Sequence, residues 1–305
     1  MTEDDIIKEL TKGQRKAPNR FGIGDDAALV VDNRIITHDT MIESIHWDSK
    51  LSPADVGWKL VAINVSDIGA MGGTPEWCTL SLSVPEKTNI DWITAFSKGM
   101  REALKKWNIN LIGGDTTRSP NHIVASMAMG SRRGYNWAWQ HTAQKGDDIW
   151  VTGTLGDAAI GFFEPKKHTY NTALQRPIPP AEFGQTIAHN KMIHAMIDIS
   201  DGLHNDLTRL CTRSKVGARI DPTALPASSV LYNNKKALAY QTAFGEDYEY
   251  LFTAAPNLET LLRKLAAQHK VTIHKIGKVL DAKHSITLDN TPWPSTLFSH
   301  FQNSK

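Results

Sequence analysis

The stretch Phe21–Val31, FGIGDDAALVV, decides how the first part of the chain folds. Two glycines predict a sharp turn, Asp25 and Asp26 follow directly, and the apolar run Ala27–Val31 is typical of a buried strand. Two carboxylates at the mouth of a strand are unfavourable unless a cation meets them. Taken alone, such a pair more often marks an aspartate turn that caps its own backbone. The rest of the chain decides between these two interpretations.

Four further acidic turns stand beside apolar segments, and this repetition favours a cation site. Mg²⁺ suits such carboxylates, because it is a hard cation usually held by one or two carboxylates together with water and substrate phosphates. No group of His or Cys residues has the spacing of a zinc site. Glycines beside the carboxylates would let backbone N–H groups approach phosphate oxygens. The four turns are Ser66-Asp67, Gly113-Gly114-Asp115, Asp198–Gly202 and Gly245-Glu246-Asp247.

The composition is that of an ordinary globular protein. The chain has 305 residues, 41% of them hydrophobic and 22% charged, which is enough for two domains with sizeable cores. The formal net charge is +2 and no run of Lys and Arg is dense, so we expect no nucleic-acid partner. The longest apolar stretches have the length of strands, which predicts no membrane span. An acidic N-terminus unlike a signal peptide, with Cys78 and Cys211 in apolar segments, favours a cytoplasmic protein with reduced thiols.

The succession of strand and helix patterns predicts an α+β fold made of two α/β-type domains. We expect residues 1–135 to form a mixed or antiparallel sheet with helices, and residues 136–305 to form an α/β sandwich. Residues 40–47 are expected to leave the sheet as a loop, and the strand 109–112 to end in a glycine turn at 113–117. The predicted strands are 27–31, 34–39, 77–84, 109–112, 123–130, 149–152, 196–199 and 248–253. The predicted helices are a short one from Thr2 to Leu10, 53–71, 91–107, a short one after the turn at Gly153 and Gly156, and 203–214, with a helix and two short strands at the end of the chain.

Several common signatures of catalysis are absent from the sequence. It has no Walker A loop, no GxGxxG loop ahead of a kinase-type VAIK strand, and no GxSxG nucleophile elbow. The closest equivalents of a phosphate loop are Gly113-Gly114 and Gly202, which opens a predicted helix. A phosphoryl-transfer enzyme with this sequence would therefore use several metal ions where those enzymes use one lysine.

Seven segments, in order along nearly the whole chain, resemble the thiamine-monophosphate kinases, a family in the superfamily of aminoimidazole ribonucleotide synthetase. The specificity lies in the ordered set, since no single segment carries it. The resemblance implies an N-terminal domain that binds ATP and Mg²⁺ and forms a homodimer through its sheet, and a C-terminal domain that completes the nucleotide and substrate site. The segments are GIGDDAAL (22–29), THDT…HW (37–47), NVSDIGAMGGTP (64–75), LIGGDTT (111–117), GDDIWVTGTLGDA (146–158), IDISDGL (197–203) and GEDYEYLFT (245–253).

The resemblance also implies roles for individual residues. The implied metal ligands are Asp26, Thr37, His38, Asp39, Asp67, Asp115, Asp198 and Asp201. The implied nucleotide contacts are Gly114, Asp115, Ser200 and the residue at position 140. The implied substrate contacts are His46, Glu246 and Phe298.

Two positions depart from the family pattern. Gln140 stands where the family has an arginine that contacts ATP, so either Arg132 or Arg133 replaces that arginine or the contact is lost. His38 stands where the family has a small hydroxyl residue. A ligand provided by the backbone carbonyl would survive that change, whereas a hydroxyl ligand would not.

The implied reaction is ATP plus thiamine monophosphate giving ADP plus thiamine diphosphate, the last step of thiamine diphosphate biosynthesis. The attacking phosphate has a second pKa of about 6, so it is mostly anionic at neutral pH and no catalytic general base is expected. Several Mg²⁺ ions would neutralise and align the two phosphates for direct in-line transfer without a phosphoenzyme.

Other members of the superfamily share the acidic framework and are alternatives. A selenophosphate synthetase would need a reactive N-terminal Cys or selenocysteine, and a hydrogenase-maturation carbamoyl dehydratase would need a C-terminal Cys where this sequence reads FQNSK. An aminoimidazole ribonucleotide synthetase would have a GVGTK-like loop where TMIESIHW stands. A binding module without catalysis is a further alternative, but it would be expected to lose metal carboxylates, and none of the main ones is missing.

Overall fold

The structure is a computed structural model that describes residues 3–12, 23, 25–164, 171–289 and 292–294. Its first half contains two long helices and a five-stranded sheet, preceded by a short helix. The elements are α1 Glu3–Leu10, β1 Ala28–Val30, β2 Arg34–Ile42, α2 Pro53–Ala70, β3 Pro75–Val84, α3 Ile90–Trp107, β4 Asn110–Arg118 and β5 Val124–Ser131.

The first sheet has the strand order β1-β2-β5-β3-β4. All neighbouring strands are antiparallel except β3 and β4, which run parallel, so the predicted mixed sheet is confirmed. Cys78 and Leu82 of β3 and Met127 of β5 are buried against α2 and α3 in one apolar core. The helices therefore cover one face of this sheet.

Two predictions in this half were wrong. Strand β2 continues to Ile42, because Thr40 and Ile42 still pair with β5 and the Thr40 and Ser126 hydroxyls lie 2.9 Å apart. Strand β4 runs through the glycines that were expected to form a turn. Its parallel pairing with β3 explains this, since a Cβ at Gly114 would lie 1.8 Å from the Leu80 carbonyl oxygen. The glycine permits close approach of two strands and does not end one.

The second half is a six-stranded sheet with helices on both faces. Its elements are β6 Asp148–Thr152, α4 Asp157–Phe163, α5 Asn171–Gln175, α6 Ala181–His189, β7 Ala195–Asp198, α7 Leu203–Ser214, β8 Gly217–Ile220, α8 Ala237–Ala243, β9 Tyr250–Ala254, α9 Glu259–Gln268, β10 Ile273–Leu280 and β11 Ile286–Leu288. The strand order is β11-β8-β10-β6-β9-β7.

Alternation along the strands of this sheet separates its two cores. Val151 faces α7 in one core, whereas its neighbour Trp150 packs with Phe183 of α6 and Leu262 of α9 in the other. The predicted α/β sandwich is confirmed by this arrangement. Helices α5, α6 and α8 and strand β8 were not predicted from the sequence.

Helix α2 joins the two halves. Ser52 accepts a hydrogen bond from the Asp55 N–H group at its start, and Pro53 occupies the first turn, where a missing N–H is tolerated. Most of its residues are buried, because it packs against β2 and β5 on one side and against α6 and β7 on the other.

The predicted boundary at 135/136 falls between β5 and β6, and the division into two domains stays a prediction. Among the described residues, no helix combines the length and apolarity needed to cross a membrane.

Candidate functional site

Three carboxylates from distant parts of the chain meet where α2 joins the two halves. Asp26 precedes β1, Asp67 lies in the last turn of α2, and Asp198 ends β7. One oxygen of each carboxylate lies within 4.8 Å of the other two. Within the described part of the chain, this is the one set of at least three His, Cys, Asp or Glu side chains close enough together to share a metal ion. Carboxylate oxygens at this spacing match the ligand type of a hard divalent cation.

The electrostatics of this group favour a cation. Burial raises the pKa of Asp26 and Asp67 well above the usual range, and the negative charge of the neighbouring aspartates raises both further. Burial also raises the pKa of Asp198 to about 7 and that of Asp39 to about 6. Within the described residues, Asp26 Oδ2 and Asp39 Oδ2 are shielded from solvent and accept no hydrogen bond. Shielded carboxylate oxygens without donors fit Mg²⁺ as the missing partner.

Hydroxyl groups orient two of the carboxylates. Thr37 Oγ1 donates to Asp67 Oδ2, and Ser66 Oγ donates to Asp198 Oδ2 at 2.8 Å. Thr37 and Asp39 share one face of β2, on the side of α2, and strand alternation places the His38 side chain on the opposite face. For His38, only a backbone ligand is therefore compatible with this cluster.

The loop after β7 carries Ser200 and Asp201 beside the cluster. Asp206, which is fully buried, accepts hydrogen bonds from the Ser200 and Asp201 N–H groups at 3.1 and 3.0 Å. Arg209 Nη1 lies 2.5 Å from Asp201 Oδ2 and 3.1 Å from Asp206 Oδ1. Sequence reasoning missed Asp206 and Arg209, although their spacing of three residues on a predicted helix would have placed them on one face.

Gln140 lies against the first acidic turn. Its Nε2 donates to Asp26 Oδ1 at 2.8 Å, and its main-chain N–H donates to Asp25 Oδ1 at 2.9 Å. The arginine that contacts Gln140 is Arg213 of α7, which the sequence analysis did not single out. Arg132 instead lies 3.9 Å from Glu76.

Asp115 is not brought to the cluster within one chain. It is exposed on β4, three strands from Asp39, which corresponds to about 14 Å at ordinary strand spacing. The cross-strand row that contains Asp115 also contains Ser81, Ser126 and Thr40. That row faces away from the helices, whereas the neighbouring row with Asp39 faces α2. Gly114 lies on the same exposed strand.

The predicted substrate residues lie in different surroundings. His46 Nδ1 accepts a hydrogen bond from the Ile42 N–H group at 2.9 Å and so closes the turn after β2. Glu246 forms an ion pair with Lys59, whose side chain is only 3% exposed in the middle of α2. Phe298 lies outside the described residues.

Glu246 is connected to the cluster through the backbone. Its N–H group donates to the Ser200 carbonyl oxygen at 2.9 Å, which places the Glu246 turn beside the Ser200–Asp201 loop. Sequence reasoning missed Lys59, and the available signal was a lysine within an otherwise apolar helix pattern.

Comparison with known proteins places this chain in a family. Residues 24–131 match the family described as AIR synthase related protein, N-terminal domain, and residues 144–289 match the corresponding C-terminal domain. The chain is 37% identical to the thiamine-monophosphate kinase of Buchnera aphidicola subsp. Acyrthosiphon pisum, over 98% of this chain and 99% of that protein.

Two solved structures share the fold over nearly their whole length. The crystal structure of thiamine-monophosphate kinase from Stenotrophomonas maltophilia K279a is similar with a TM-score of 0.79 and 35% identity, covering 94% of this chain and 95% of that one. The structure described as AaThiL complexed with AMPPCP and TMP has a TM-score of 0.83 and 28% identity, covering 98% and 96%. The chain therefore belongs to the thiamine-monophosphate kinase family of the AIR synthase related proteins.

Proposed function

We propose that this protein transfers the γ-phosphoryl group of ATP to the phosphate of thiamine monophosphate, giving ADP and thiamine diphosphate. The observation that carries the proposal is the group of three carboxylates where α2 meets both halves, in a chain that matches a thiamine-monophosphate kinase over 98% of its length. The shielded carboxylate oxygens at this group fit a divalent cation as their partner. Such a cation would also bind the phosphate groups of ATP and of the acceptor.

In this proposal the chain contributes position and charge, and no side chain has to remove a proton. Asp26, Asp67 and Asp198 would hold Mg²⁺, with Asp39, Asp201 and the residues Thr37 and His38 of β2 at its margin. Mg²⁺ bound there would supply charge neutralisation to the two phosphates. The hydroxyls of Thr37 and Ser66 keep the carboxylates oriented while the acceptor phosphate, already anionic, attacks in line.

The nucleotide and the acceptor would approach the cluster from two sides. Ser200 and Gln140 flank Asp198 and Asp26, and we assign them to the nucleotide side together with the strand that carries Gly114 and Asp115. The Glu246 turn borders the Ser200 loop, and we assign it to thiamine monophosphate together with His46 and Phe298.

The place of Asp115 leads us to propose a homodimer. A single chain leaves Asp115 on the exposed face of the N-terminal sheet, so its role as a ligand of the phosphate-bound metal requires a second copy packed on that face. The outer edge of β4, which pairs with no further strand among the described residues, and the row of hydroxyl side chains beside it are then covered in the dimer.

Mixed dimers provide the test of this shared site. Asp115→Asn and Asp67→Asn should each be inactive alone, because each lacks one carboxylate in both sites of its dimer. When the two variants are co-expressed with different tags and purified as a mixed dimer, one site regains every carboxylate, and we expect up to about half of the wild-type turnover per dimer. A mixed dimer as inactive as its parents, or a fully active monomer, would contradict the proposal.

The activity itself is tested by measuring ADP release from Mg·ATP with and without thiamine monophosphate, together with mass detection of thiamine diphosphate. We expect the two products in equal amounts, and no ADP with free thiamine, which lacks the acceptor phosphate. ADP release that is indifferent to thiamine monophosphate would indicate another substrate of the superfamily. ATP-dependent thermal stabilisation without any ADP would indicate a binding module.

A further inference from the structure

Gln140 has a hydrogen-bond partner for each of its polar groups. It is 2% exposed and lies in the segment between β5 and β6. Its main-chain N–H and its Nε2 donate to the Asp25 and Asp26 carboxylates, and its carbonyl oxygen accepts from Ser214 Oγ at 2.9 Å. Its Oε1 accepts from Arg213 Nη1. The residue thus connects the first acidic turn to the end of α7.

These partners allow only one orientation of the Gln140 amide. A guanidinium group can only donate hydrogen bonds, and an ionised carboxylate can only accept them. Arg213 therefore holds Oε1 toward α7, and Nε2 is left to point at Asp26. Without Arg213, the amide could rotate and present its oxygen to the carboxylate, which would repel it.

The hydrogen bond from Gln140 determines which oxygen of Asp26 is left to bind a cation. Oδ1 of Asp26 is engaged by Gln140 at 2.8 Å, whereas Oδ2 has no hydrogen-bond donor among the residues described and is shielded from solvent. Burial raises the pKa of Asp26 most, the charges of Asp198 and Asp25 raise it further, and the charge of Arg213 lowers it. Arg213 thus brings positive charge to a carboxylate whose charged neighbours are otherwise acidic.

We propose that Arg213 is a positioning residue for Asp26, acting through the Gln140 amide, and that this relay directs Asp26 Oδ2 toward the bound cation. The inference rests on the proposed function, because it takes the carboxylate cluster as the cation site. It gives Gln140 a specific role, which is to connect Arg213 to Asp26. Its amide links Arg213 of α7 to Asp26 through two hydrogen bonds.

The test measures cation binding apart from catalysis. Mn²⁺ titrations of the full-length protein, followed by electron paramagnetic resonance, report the affinity of the site without ATP or turnover. We expect Arg213→Met to weaken Mn²⁺ binding about tenfold, the range found for residues that orient a metal ligand. Arg213→Lys, which keeps a side chain that only donates, should recover most of the affinity.

Two comparisons separate the relay from a general effect on the fold. Arg219→Met removes an exposed arginine on β8 that lies 3.6 Å from Asp289, and it should leave Mn²⁺ affinity unchanged. If Arg213 acts through Gln140, the double variant Arg213→Met/Gln140→Met should bind Mn²⁺ as weakly as Gln140→Met alone. Should Arg213→Met fail to fold, Arg213→Gln enters the same cycle in its place.

Unchanged Mn²⁺ affinity in Arg213→Met would overturn the inference, and so would additive losses in the double variant. These outcomes differ from a failure of the proposed function. A wild-type protein that binds Mn²⁺ with the expected coupling but forms no thiamine diphosphate would contradict the reaction and leave the relay intact. A wild-type protein that binds no Mn²⁺ would overturn both.

Discussion

Replacing Asp67 by Asn is expected to lower turnover at least about a hundredfold at saturating Mg²⁺, while the melting temperature in EDTA stays the same or rises. Asp67 is the carboxylate that α2 contributes to the cluster and would be a ligand of Mg²⁺. The neutral amide of asparagine is a poor substitute for a carboxylate as a ligand of Mg²⁺. In the absence of metal, the same carboxylate is an unfavourable charge, because burial and the nearby Asp39, Asp198 and Asp26 all raise its pKa. Its removal therefore relieves repulsion in the metal-free protein.

Steady-state kinetics over a range of Mg²⁺ concentrations and thermal melts in EDTA measure the two effects separately. Asp91→Asn is the matched control, since it makes the same chemical change at an exposed position in the first turn of α3. It should leave turnover close to that of the wild type. Near-normal turnover of Asp67→Asn at saturating Mg²⁺ would contradict the role of Asp67 as a metal ligand.

Replacing Gly99 by Ala is expected to destabilise the protein by about 3 kcal/mol. Gly99 on α3 and Gly57 on α2 lie where the two helices cross. A Cβ at Gly99 would lie 1.7 Å from the Ala54 carbonyl oxygen, and one at Gly57 would lie 2.2 Å from the Phe96 carbonyl oxygen. The obstructing atoms belong to helix backbone, so a side-chain rotation cannot relieve the overlap and the helices must move apart.

Urea unfolding followed by circular dichroism gives the free energy of unfolding for this comparison. Gly113→Ala is the control for stability, because a Cβ there would have Thr79 Cγ2 as its nearest neighbour at 4.0 Å. We expect its midpoint to differ little from that of the wild type. A Gly99→Ala protein with an unchanged midpoint would show that the helices can separate at little cost.

Local sequence patterns correctly predicted those helices and strands whose bounds depend on their own residues and immediate neighbours. The helix Leu203–Ser214 has the predicted bounds, because its apolar spacing and the preceding glycine are both local signals. The glycines at 113 and 114 misled the prediction of β4, since the close contact between Gly114 and Leu80 depends on a strand distant in sequence. A glycine that permits close approach and a glycine that forms a turn look alike in one sequence.

Only those parts of the candidate site that local sequence signals mark were predictable. Acidic turns marked Asp26, Asp67 and Asp198, and the structure brings these three together, while their role as ligands stays a prediction. The side of the sheet that Asp115 faces follows from strand register, which the sequence alone does not reveal. The contact between Gln140 and Arg213 joins a connecting segment to a helix much later in the chain, and no local pattern connects them.

Helix α2 has a consequence for how this protein unfolds. Its residues contribute to the core beneath the first sheet, and Ala70 at its end belongs to a core of the second. Losing either sheet would expose apolar surface on the same helix and so weaken the other. We expect the two halves to melt as one cooperative unit, with a single calorimetric peak in place of two. Any ligand that binds beside Asp67 would then protect both sheets equally, although it contacts only their junction.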